Sequence, residues 1–172
     1  AQLPAIRLMK AVVQRVNSAS VRVGNKTVGE IDRGLLIYLG IAQDDGPEQV
    51  AWLADKIVNL RMFDQTGTLQ SNDLQPDAET AGNARTTLSL LDIAGKVLVI
   101  SQFTLLADTR RGRRPSFSQA AEPAMANKLY LAFVEAVGAY VPVQSGEFGA
   151  DMQVSSENDG PFTLILEHPP QP

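Results

Sequence analysis

The sequence predicts an α+β fold: a mixed, largely antiparallel β-sheet with two main helices packed on one face, within a single domain. Segments rich in β-branched residues are grouped at the start, middle and end of the chain, and two amphipathic helical segments separate them. At 172 residues, the chain is long enough for one hydrophobic core and short for two. We therefore expect one domain over residues 9–167, between an N-terminal extension (1–8) and a C-terminal tail (168–172).

The first group of strands lies before the first helix. β-branched residues predict strands over 10–16 and 20–23, and the pair Gly24 and Asn25 predicts a tight turn into a strand over 27–31. The apolar run 34–41 has the length of a buried strand. This part of the chain is therefore predicted to be mostly sheet.

A helix of about four turns is predicted after Pro47, because proline suits the first helical turn and apolar residues then recur at three-four spacing. Asp44 and Asp45 are candidate caps of its N-terminus. Residues 66–85 are polar and rich in turn-forming residues, so they predict an insertion loop. The spaced apolar positions of the helix are Val50, Leu53, Ala54, Ile57 and Val58.

The second half of the chain repeats the alternation of strands and helix. Two strands are predicted over 86–93 and 96–100, joined at Ala94 and Gly95, and a second amphipathic helix over 122–140. Three more strands, over 141–144, 151–155 and 162–167, complete the sheet. The apolar stripe of the second helix consists of Met125, Leu129, Ala132, Phe133, Ala136, Val137 and Tyr140.

The charge of the chain limits how it can contact nucleic acid. A net charge of -4 and a sequence pI near 5.0 argue against a protein that grips nucleic acid with its whole surface, so any RNA contact must be local. One basic cluster exists, and Pro115 and Phe117 follow it. It could be a solvated loop, or it could offer guanidinium groups to phosphates and an aromatic face to a base. The cluster is Arg110, Arg111, Arg113 and Arg114.

Several kinds of chemistry are excluded by composition. The chain has 0 cysteines and 1 histidine, His168, which we expect to be solvent-exposed in the tail. Cysteine nucleophiles, thiolate zinc sites and a Ser-His-Asp triad therefore lack their residues, and we expect no metal and no cofactor. The sequence has no export signal and no run long enough to span a bilayer, so we expect no membrane partner and a cytoplasmic location.

Two short polar motifs remain as candidate functional groups. The first, Ser101 to Leu105, places hydroxyl and amide groups directly after a predicted apolar strand, where they need a partner or a purpose. The second, Asn158 to Thr163, contains Gly160 and Pro161 and would ordinarily be a turn before a strand. By themselves, these patterns are also compatible with a capped strand end and a plain turn.

The two motifs resemble the signatures of the D-aminoacyl-tRNA deacylase family. Ser-Gln-Phe-Thr-Leu at 101–105 and Gly-Pro-Phe-Thr at 160–163 occur in the family's order. The resemblance runs from Met9 to about Leu166 and includes the segments 14–16, 34–36, 113–118 and 146–152. Three features depart from the pattern: the long stretch around 69–85, a phenylalanine at Phe162 in place of a smaller aliphatic residue, and extended termini.

The resemblance implies a barrel-like sheet, a homodimer and hydrolysis of the ester that joins a D-amino acid or glycine to tRNA. It implies that a cis Gly160-Pro161 peptide enters the partner's active site and rejects L-amino acids, and that Arg15 braces this loop. The implied catalytic residues are Ser101, Gln102, Phe103 and Thr104. Phe148 and Met152 are implied pocket residues, and the residues implied to contact the aminoacylated 3′ end of tRNA are Arg113, Arg114, Pro115 and Phe117.

Alternatives stay open for both mechanism and function. Thr104 is the obvious protein nucleophile, but no base is evident to activate it, so we favour assistance by the 2′-hydroxyl of the tRNA end. The chain could instead be a non-catalytic nucleic-acid-binding protein, a purely structural dimeric domain, or the animal-type deacylase that acts on L-aminoacyl-tRNA. Ser101 and Gln102 argue against the last, because that group carries a different motif there.

Overall fold

The structure is a computed structural model that describes residues 9–64 and 86–168. The predicted N-terminal extension, the predicted insertion loop at 66–85 and residues 169–172 of the tail lie outside the described residues. The described residues form strands β1 (Met9–Val23), β2 (Lys26–Ile31), β3 (Gly34–Gly40), β4 (Arg61–Phe63), β5 (Leu88–Ser89), β6 (Lys96–Ser101), β7 (Val143–Ser145) and β8 (Gln153–His168), with helices α1 (Pro47–Asn59) and α2 (Pro123–Gly138) and a 3₁₀ turn at Phe103–Leu106.

The main sheet is organised around β1. This strand pairs antiparallel with β8 along nearly its whole length, with β3 through its first half and with β2 through its second half. Parallel pairing then joins β3 to β6 and β6 to β7. The sheet is therefore mixed and curves into a nearly closed barrel, and the predicted fold class is confirmed for the single chain. The short strands β4 and β5 form a separate antiparallel pair.

Apolar residues fill both sides of the sheet because successive side chains of a strand point to opposite faces. On β3, Leu35, Ile37 and Leu39 belong to the large core cluster that includes the buried residues of α1 and α2. Leu36 belongs to a smaller cluster inside the barrel. Both helices thus pack on one face of the sheet, as predicted. Within the described residues, no helix combines the length and apolar content needed to cross a bilayer.

Three predicted strand boundaries were wrong. The segments 10–16 and 20–23 are one strand, β1, because the intervening residues stay extended and paired with β8. The predicted strand 86–93 shrinks to two residues, because Ser89 and Asp92 exchange hydrogen bonds of 2.8 and 3.1 Å that fold the chain into a turn. The segments 151–155 and 162–167 also form one strand, β8, and the predicted turn at 158–161 is a bulge within it.

Three details of the predicted helices and tail also differ from the structure. Gly46, not an aspartate, caps α1, and its N–H donates to Gln49 Oε1 at 2.8 Å. Of the predicted stripe of the second helix, Met125 on α2 and Tyr140, which lies beyond the end of α2, are 45% and 46% exposed, and Ala126 and Tyr130 are buried instead. His168, predicted to be solvent-exposed, is partly buried at the end of β8, with its ring 4.6 Å from the ring of Trp52.

Candidate active site

A cavity of about 680 Å³ opens where β6 ends. Its walls come from the end of β6, the segment that leads into α2, and the loop before β8. Most of the lining is apolar, and Glu122 is the one ionisable side chain among the lining residues that the structure describes. The lining residues are Ile100, Ser101, Gln102, Phe103, Phe117, Ala120, Ala121, Glu122, Pro123, Ala126, Phe148, Gly149, Ala150, Met152 and Val154.

Residues 101–103 of the first polar motif form the floor of this cavity. Ser101 is the last residue of β6, and the N–H of Gln102 donates to the carbonyl of Leu39 on β3 at 2.8 Å. The chain then turns, and the N–H of Leu105 donates back to the carbonyl of Gln102 at 3.2 Å. A glycine is required at position 40, because a Cβ there would collide with Leu106 and lie 3.1 Å from the Gln102 carbonyl. Close approach of β3 thus fixes the motif.

The start of the 3₁₀ turn offers hydrogen-bond donors. The first N–H groups of a helical turn have no partner within that turn. Phe103 and Thr104 occupy these positions, and no backbone carbonyl in residues 9–64 or 86–168 accepts from them. The Thr104 hydroxyl accepts a hydrogen bond from Gln102 Nε2, and Thr104 does not line the cavity. This corner can therefore donate backbone hydrogen bonds to a developing negative charge, whereas Thr104 lacks the position expected of a nucleophile.

Phe148 and Met152, the pocket residues implied by the resemblance, lie on the opposite wall of this cavity. The ring of Phe148 lies 6.0 Å from that of Tyr130, whose hydroxyl donates to the carbonyl of Val99 at 3.0 Å. Burial raises the pKa of Tyr130, so the hydroxyl keeps the proton that it donates. A Cβ on Gly146 would lie 2.5 Å from the Met152 sulfur, so only glycine leaves Met152 its place. Phe148 packs against the large core cluster and Met152 against the smaller one, so core residues support this wall.

Phe117 lies at the mouth of the cavity, with its ring edge-to-face against Phe103 at 5.1 Å. The segment that follows is tied to the end of β3, because the N–H of Gln43 donates to the carbonyl of Gln119 at 3.2 Å and the Gln43 side chain donates to the carbonyl of Ser118. The other predicted tRNA contacts are exposed on the loop just before Phe117 and do not line the cavity. They are Arg113, Arg114 and Pro115.

The second predicted motif forms a bulge in β8 opposite Arg15. Gln14 pairs with Thr163 and Val16 with Asn158, so the four residues 159–162 stand opposite this single arginine. The Gly160-Pro161 peptide bond is cis, and both residues are exposed. Within the bulge, Asn158 accepts a hydrogen bond from the N–H of Phe162 at 3.0 Å and donates to Thr163 at 3.2 Å.

The Arg15 side chain lies under the bulge. It donates to the carbonyls of Asp159 at 3.2 Å and Met62 at 2.7 Å, and its guanidinium carbon lies 4.8 Å from the ring centre of Phe162. Phe162, the residue that departs from the family pattern, therefore packs on the arginine and does not line the cavity.

The structure does not bring the two motifs together within one chain. Arg15, Gly160 and Pro161 are absent from the described lining of the cavity. Strand register places Arg15 opposite Leu35 on β3, whereas Ser101 is paired with Leu39, four residues farther along. At the usual strand spacings, the bulge and the cavity floor are separated by roughly 13 Å along the strands and roughly 14 Å around the sheet.

Sequence reasoning missed the residues that lead into α2. Glu122 and the small residues Ala120 and Ala121 precede α2, Ala126 lies in its first turn, and all four line the cavity but belong to no motif. The run of small residues just before a predicted helix could have indicated a cavity there, because small side chains leave space for a ligand. Among the described residues, no group of three or more His, Asp or Glu side chains could hold a metal ion.

The family model for D-Tyr-tRNA(Tyr) deacylase matches residues 12–167. The chain belongs to this family. Proteins named D-aminoacyl-tRNA deacylase from Thermosipho africanus and Lactobacillus delbrueckii subsp. bulgaricus are 50% and 46% identical over 160 residues. Each alignment covers 92% of this chain and 97% or 99% of the relative. The range matched by the family model includes both motifs.

Solved structures show the same deacylase fold. A chain described as c-Myc DNA Unwinding Element Binding Protein is 36% identical and superposes with a TM-score of 0.79, covering 94% of this chain and 99% of that one. A probable eukaryotic D-amino acid tRNA deacylase, at 18% identity and a TM-score of 0.74, covers 93% of this chain and 99% of its own. The second likeness supports the fold alone.

Proposed function

We propose that the protein hydrolyses the ester bond of D-aminoacyl-tRNA and releases free D-amino acid and tRNA. The observation that carries this proposal is the cavity at residues 101–103, which combines backbone donors with an apolar wall in a chain of the deacylase family. Its volume of about 680 Å³ lies within the usual range for small-ligand sites, roughly 300–1,000 Å³. The terminal adenosine with its aminoacyl group is the part of the substrate that enters it.

Catalysis by this site rests on positioning and on stabilising negative charge. Water adds to the ester carbonyl carbon, the carbonyl oxygen becomes negatively charged, and the bond to the ribose oxygen then breaks. The N–H groups of Phe103 and Thr104 are the proposed donors to that oxygen, and Ser101 and Gln102 order the adenosine. No metal and no cofactor is needed for these steps, because an aminoacyl ester is already activated.

The proton transfer is assigned to the substrate. The 2′-hydroxyl of the terminal ribose is adjacent to the ester and can take up a proton from the attacking water while it passes its own to the leaving 3′-oxygen. Thr104 is not the proposed nucleophile, because its hydroxyl already accepts a hydrogen bond from Gln102 Nε2. A nucleophilic hydroxyl would also need an adjacent base.

Selection for D-amino acids is assigned to Gly160 and Pro161 of the partner subunit in a homodimer. Their main chain would stand where the side chain of an L-amino acid must point, so L-aminoacyl groups are excluded by collision. A D side chain points away from this obstacle, and glycine has no side chain. The proposed enzyme therefore also cleaves glycyl-tRNA, including glycine mischarged on alanine tRNA.

Two features of the single chain support a dimer. The Gly160-Pro161 bulge is exposed and far from its own cavity, so it has no substrate to act on within one chain. Its strand, β8, lies at an edge of the sheet, and next to the bulge Ile165 is 69% exposed beside its pairing partner Val12. Association through this surface would bury the exposed apolar side chain.

Mixed dimers test this arrangement directly. One subunit carries Gly160→Ala, and the other carries Gln102→Ala in the cavity. If the loop acts on the partner, the mixed dimer contains one intact site facing one intact loop, and it hydrolyses D-aminoacyl-tRNA with wild-type stereoselectivity. If the loop acts on its own chain, the one intact site faces an altered loop, and the mixed dimer shows the poor stereoselectivity of the Gly160→Ala homodimer.

The tRNA itself is the proposed macromolecular partner, and the proposed location is the cytoplasm, where aminoacyl-tRNA is used. Arg113, Arg114 and Pro115 would contact the acceptor end next to the cavity, and the ring of Phe117 would pack against the terminal adenosine. No membrane partner is proposed.

A nucleic-acid-binding protein without catalysis is the second candidate. It is favoured by the 36% identical structure, whose description names a DNA-binding protein, and by the arginine cluster. Incubation with D-tyrosyl-tRNA and L-tyrosyl-tRNA separates the candidates. Release of the D-amino acid alone supports the deacylase, binding without release supports the second candidate, and release of the L-amino acid alone supports the animal-type deacylase.

A further inference from the structure

The cavity wall that precedes α2 is joined to a turn that follows β3. This wall segment comprises residues 117–121, and its residues Phe117, Ala120 and Ala121 line the cavity. The turn comprises residues 42–45, between the end of β3 and the start of α1, and we name it the support turn. None of its residues belongs to the described lining of the cavity. The support turn is therefore outside the site but attached to it.

Main-chain hydrogen bonds make this attachment. The N–H of Ala121 donates to the carbonyl of Ile41 at 2.9 Å, and the N–H of Gln43 donates to the carbonyl of Gln119 at 3.2 Å. Between these two bonds, the segments form an antiparallel bridge. Because the bonds run from backbone to backbone, a shift of the support turn also shifts the backbone of Ala120 and Ala121, and with it the wall of the cavity.

Asp45 closes the support turn. Its half-buried carboxylate accepts from the N–H of Ala42 at 2.6 Å, and its own N–H donates to the carbonyl of Ala42 at 3.2 Å. Ala42 is fully buried, and a buried N–H without a partner is costly. Asp45 does not cap the helix that follows, since Gly46 caps α1. The Asp45 carboxylate therefore fixes Ala42, the residue that the bridge sets opposite the wall segment.

We propose that Asp45 is a positioning residue for the deacylation site: through Ala42, it holds the wall segment where the cavity can bind the terminal adenosine with its aminoacyl group. The inference rests on the proposed function, because the wall segment supplies one side of the proposed substrate cavity. Asp45 acts on the substrate only through this segment. Its loss weakens binding of the substrate and of the transition state alike, which raises KM and leaves kcat unchanged.

Amide hydrogen exchange in the full chain tests the connection without any substrate. Asp45→Ala removes the acceptor of the Ala42 N–H, and Asp45→Asn keeps an oxygen there. The N–H of Val97, which donates to the carbonyl of Pro142 at 3.1 Å, serves as the reference for global opening. We expect the exchange rate of the Ala121 N–H relative to this reference to rise about tenfold in Asp45→Ala, the usual effect of one lost charged hydrogen bond, and to stay near the wild-type value in Asp45→Asn.

Kinetics on D-tyrosyl-tRNA, measured below the Tm of every variant, show whether the connection reaches the site. Asp45→Ala is expected to raise KM by about tenfold with kcat within a few-fold of wild type, and Asp45→Asn is expected to restore KM. The matched control is Asp92→Ala. Asp92 accepts from the N–H of Ser89, three residues earlier, at 2.8 Å, which is the arrangement found in the support turn. Neither Asp92 nor Ser89 is in the described lining of the cavity, so this variant is expected to keep the wild-type KM whatever its effect on Tm.

Three kinetic results would overturn the assignment: an Asp45→Ala variant with the wild-type KM, an Asp45→Asn variant whose KM rises as far, or an Asp92→Ala variant with the same rise. An unchanged relative exchange rate of Ala121 in Asp45→Ala would overturn it as well. If Asp45→Ala does not fold, Asp45→Glu takes its place, because the longer side chain displaces the carboxylate from the Ala42 N–H. If wild type does not cleave D-tyrosyl-tRNA, the proposed function fails, while the exchange result still stands or falls by itself.

Discussion

The side chain of Arg15 on β1 contacts both the main-chain carbonyl and the carboxylate of Asp159 on β8. Nε of Arg15 lies 3.2 Å from the Asp159 carbonyl oxygen and 3.4 Å from the Asp159 carboxylate. The Arg15 side chain is only 11% exposed, and its Nη1 donates to the Met62 carbonyl at 2.7 Å. A buried cation of this kind is stable because its donors have partners. The contacts give the Gly160-Pro161 bulge a fixed base.

Replacement Arg15→Lys is expected to lower the stereoselectivity of hydrolysis. A single ammonium group cannot replace a guanidinium that binds two carbonyls and packs on Phe162. Loss of one such charged hydrogen bond lowers the equilibrium constant for holding the bulge in place by about tenfold. We therefore expect the ratio of D- to L-tyrosyl-tRNA hydrolysis to fall by about tenfold. The ratio of kcat/KM values for the two esters measures this. An unchanged ratio in a folded variant would show that Arg15 does not brace the proposed filter.

Gly160→Ala tests the bulge itself. Gly160 has φ +131, and an added Cβ would lie 3.1 Å from the Phe162 nitrogen and 3.2 Å from Arg15 Nη2. The main chain must therefore shift, and L-tyrosyl-tRNA hydrolysis is expected to rise above its background rate. Gly46→Ala is the control, because Gly46 has extended backbone with φ -148 and the nearest atom to its added Cβ is 3.5 Å away. Equal stereoselectivity in both variants would argue against the proposed role of the bulge.

Thr104→Ala is expected to leave most of the activity. Under substrate assistance, the reaction needs the Thr104 backbone N–H, which alanine keeps. Removal of the 2′-hydroxyl from the terminal ribose is expected to cost on the order of 100- to 10,000-fold, the usual contribution of a proton-transfer group. Single-turnover rates on normal and 2′-deoxy D-tyrosyl-tRNA compare the two changes. A complete loss in Thr104→Ala with intact RNA binding would favour Thr104 as the nucleophile.

The variant Glu122→Gln is measured together with Thr104→Ala and the 2′-deoxy substrate. Glu122 is the one ionisable side chain in the described lining of the cavity, so it is the protein group that would have to serve as base if the substrate did not. We expect the variant to keep its kcat within a few-fold of wild type. A loss as large as that caused by the 2′-deoxy substrate would transfer the proton-transfer role to Glu122.

Asp45 makes the stability of the protein depend on pH. Burial raises the pKa of Asp45 from 3.8 to about 6, although its carboxylate accepts from the N–H of Ala42 at 2.6 Å. The folded state therefore binds a proton more tightly than the unfolded state. The resulting stabilisation is fully present below about pH 3.8 and is lost as the pH rises through about 6.

Thermal unfolding of Asp45→Asn measures this effect. Asparagine keeps an oxygen to accept from Ala42 but does not ionise, so the Tm of the variant relative to wild type is expected to increase from about pH 4 to about pH 7. A difference in Tm that stays constant, or that moves in the opposite direction, would contradict the raised pKa.

Much of the fold could be predicted because local patterns determine it. The three-four spacing of apolar residues predicted α1, and the Gly24-Asn25 pair predicted the turn of the β1–β2 hairpin. The misplaced boundaries depend on long-range contacts. Residues 158–161 have turn composition, yet they remain within β8 because β1 pairs with the strand on both sides of them. Ser89 and Asp92 end β5 through side-chain hydrogen bonds that periodicity does not show.

The site was predictable where it coincides with motifs and not elsewhere. Residues 101–103, Phe117, Phe148 and Met152, which the motifs singled out, line one cavity. Glu122 was missed because its position depends on how α2 approaches the end of β6. The separation of Gly160 from this cavity was not predicted either, because it depends on strand register. The sequence of a motif does not show how far it lies from another motif across a sheet.

The most direct test of the proposed function compares three esters under the same conditions: D-tyrosyl-tRNA, L-tyrosyl-tRNA and glycyl-tRNA. We expect wild-type protein to hydrolyse the D-tyrosyl and glycyl esters and to leave the L-tyrosyl ester at its spontaneous rate. Hydrolysis of the L-tyrosyl ester as fast as the D-tyrosyl ester, or no hydrolysis of the D-tyrosyl ester, would contradict the proposal that this site removes D-amino acids from tRNA by excluding L side chains.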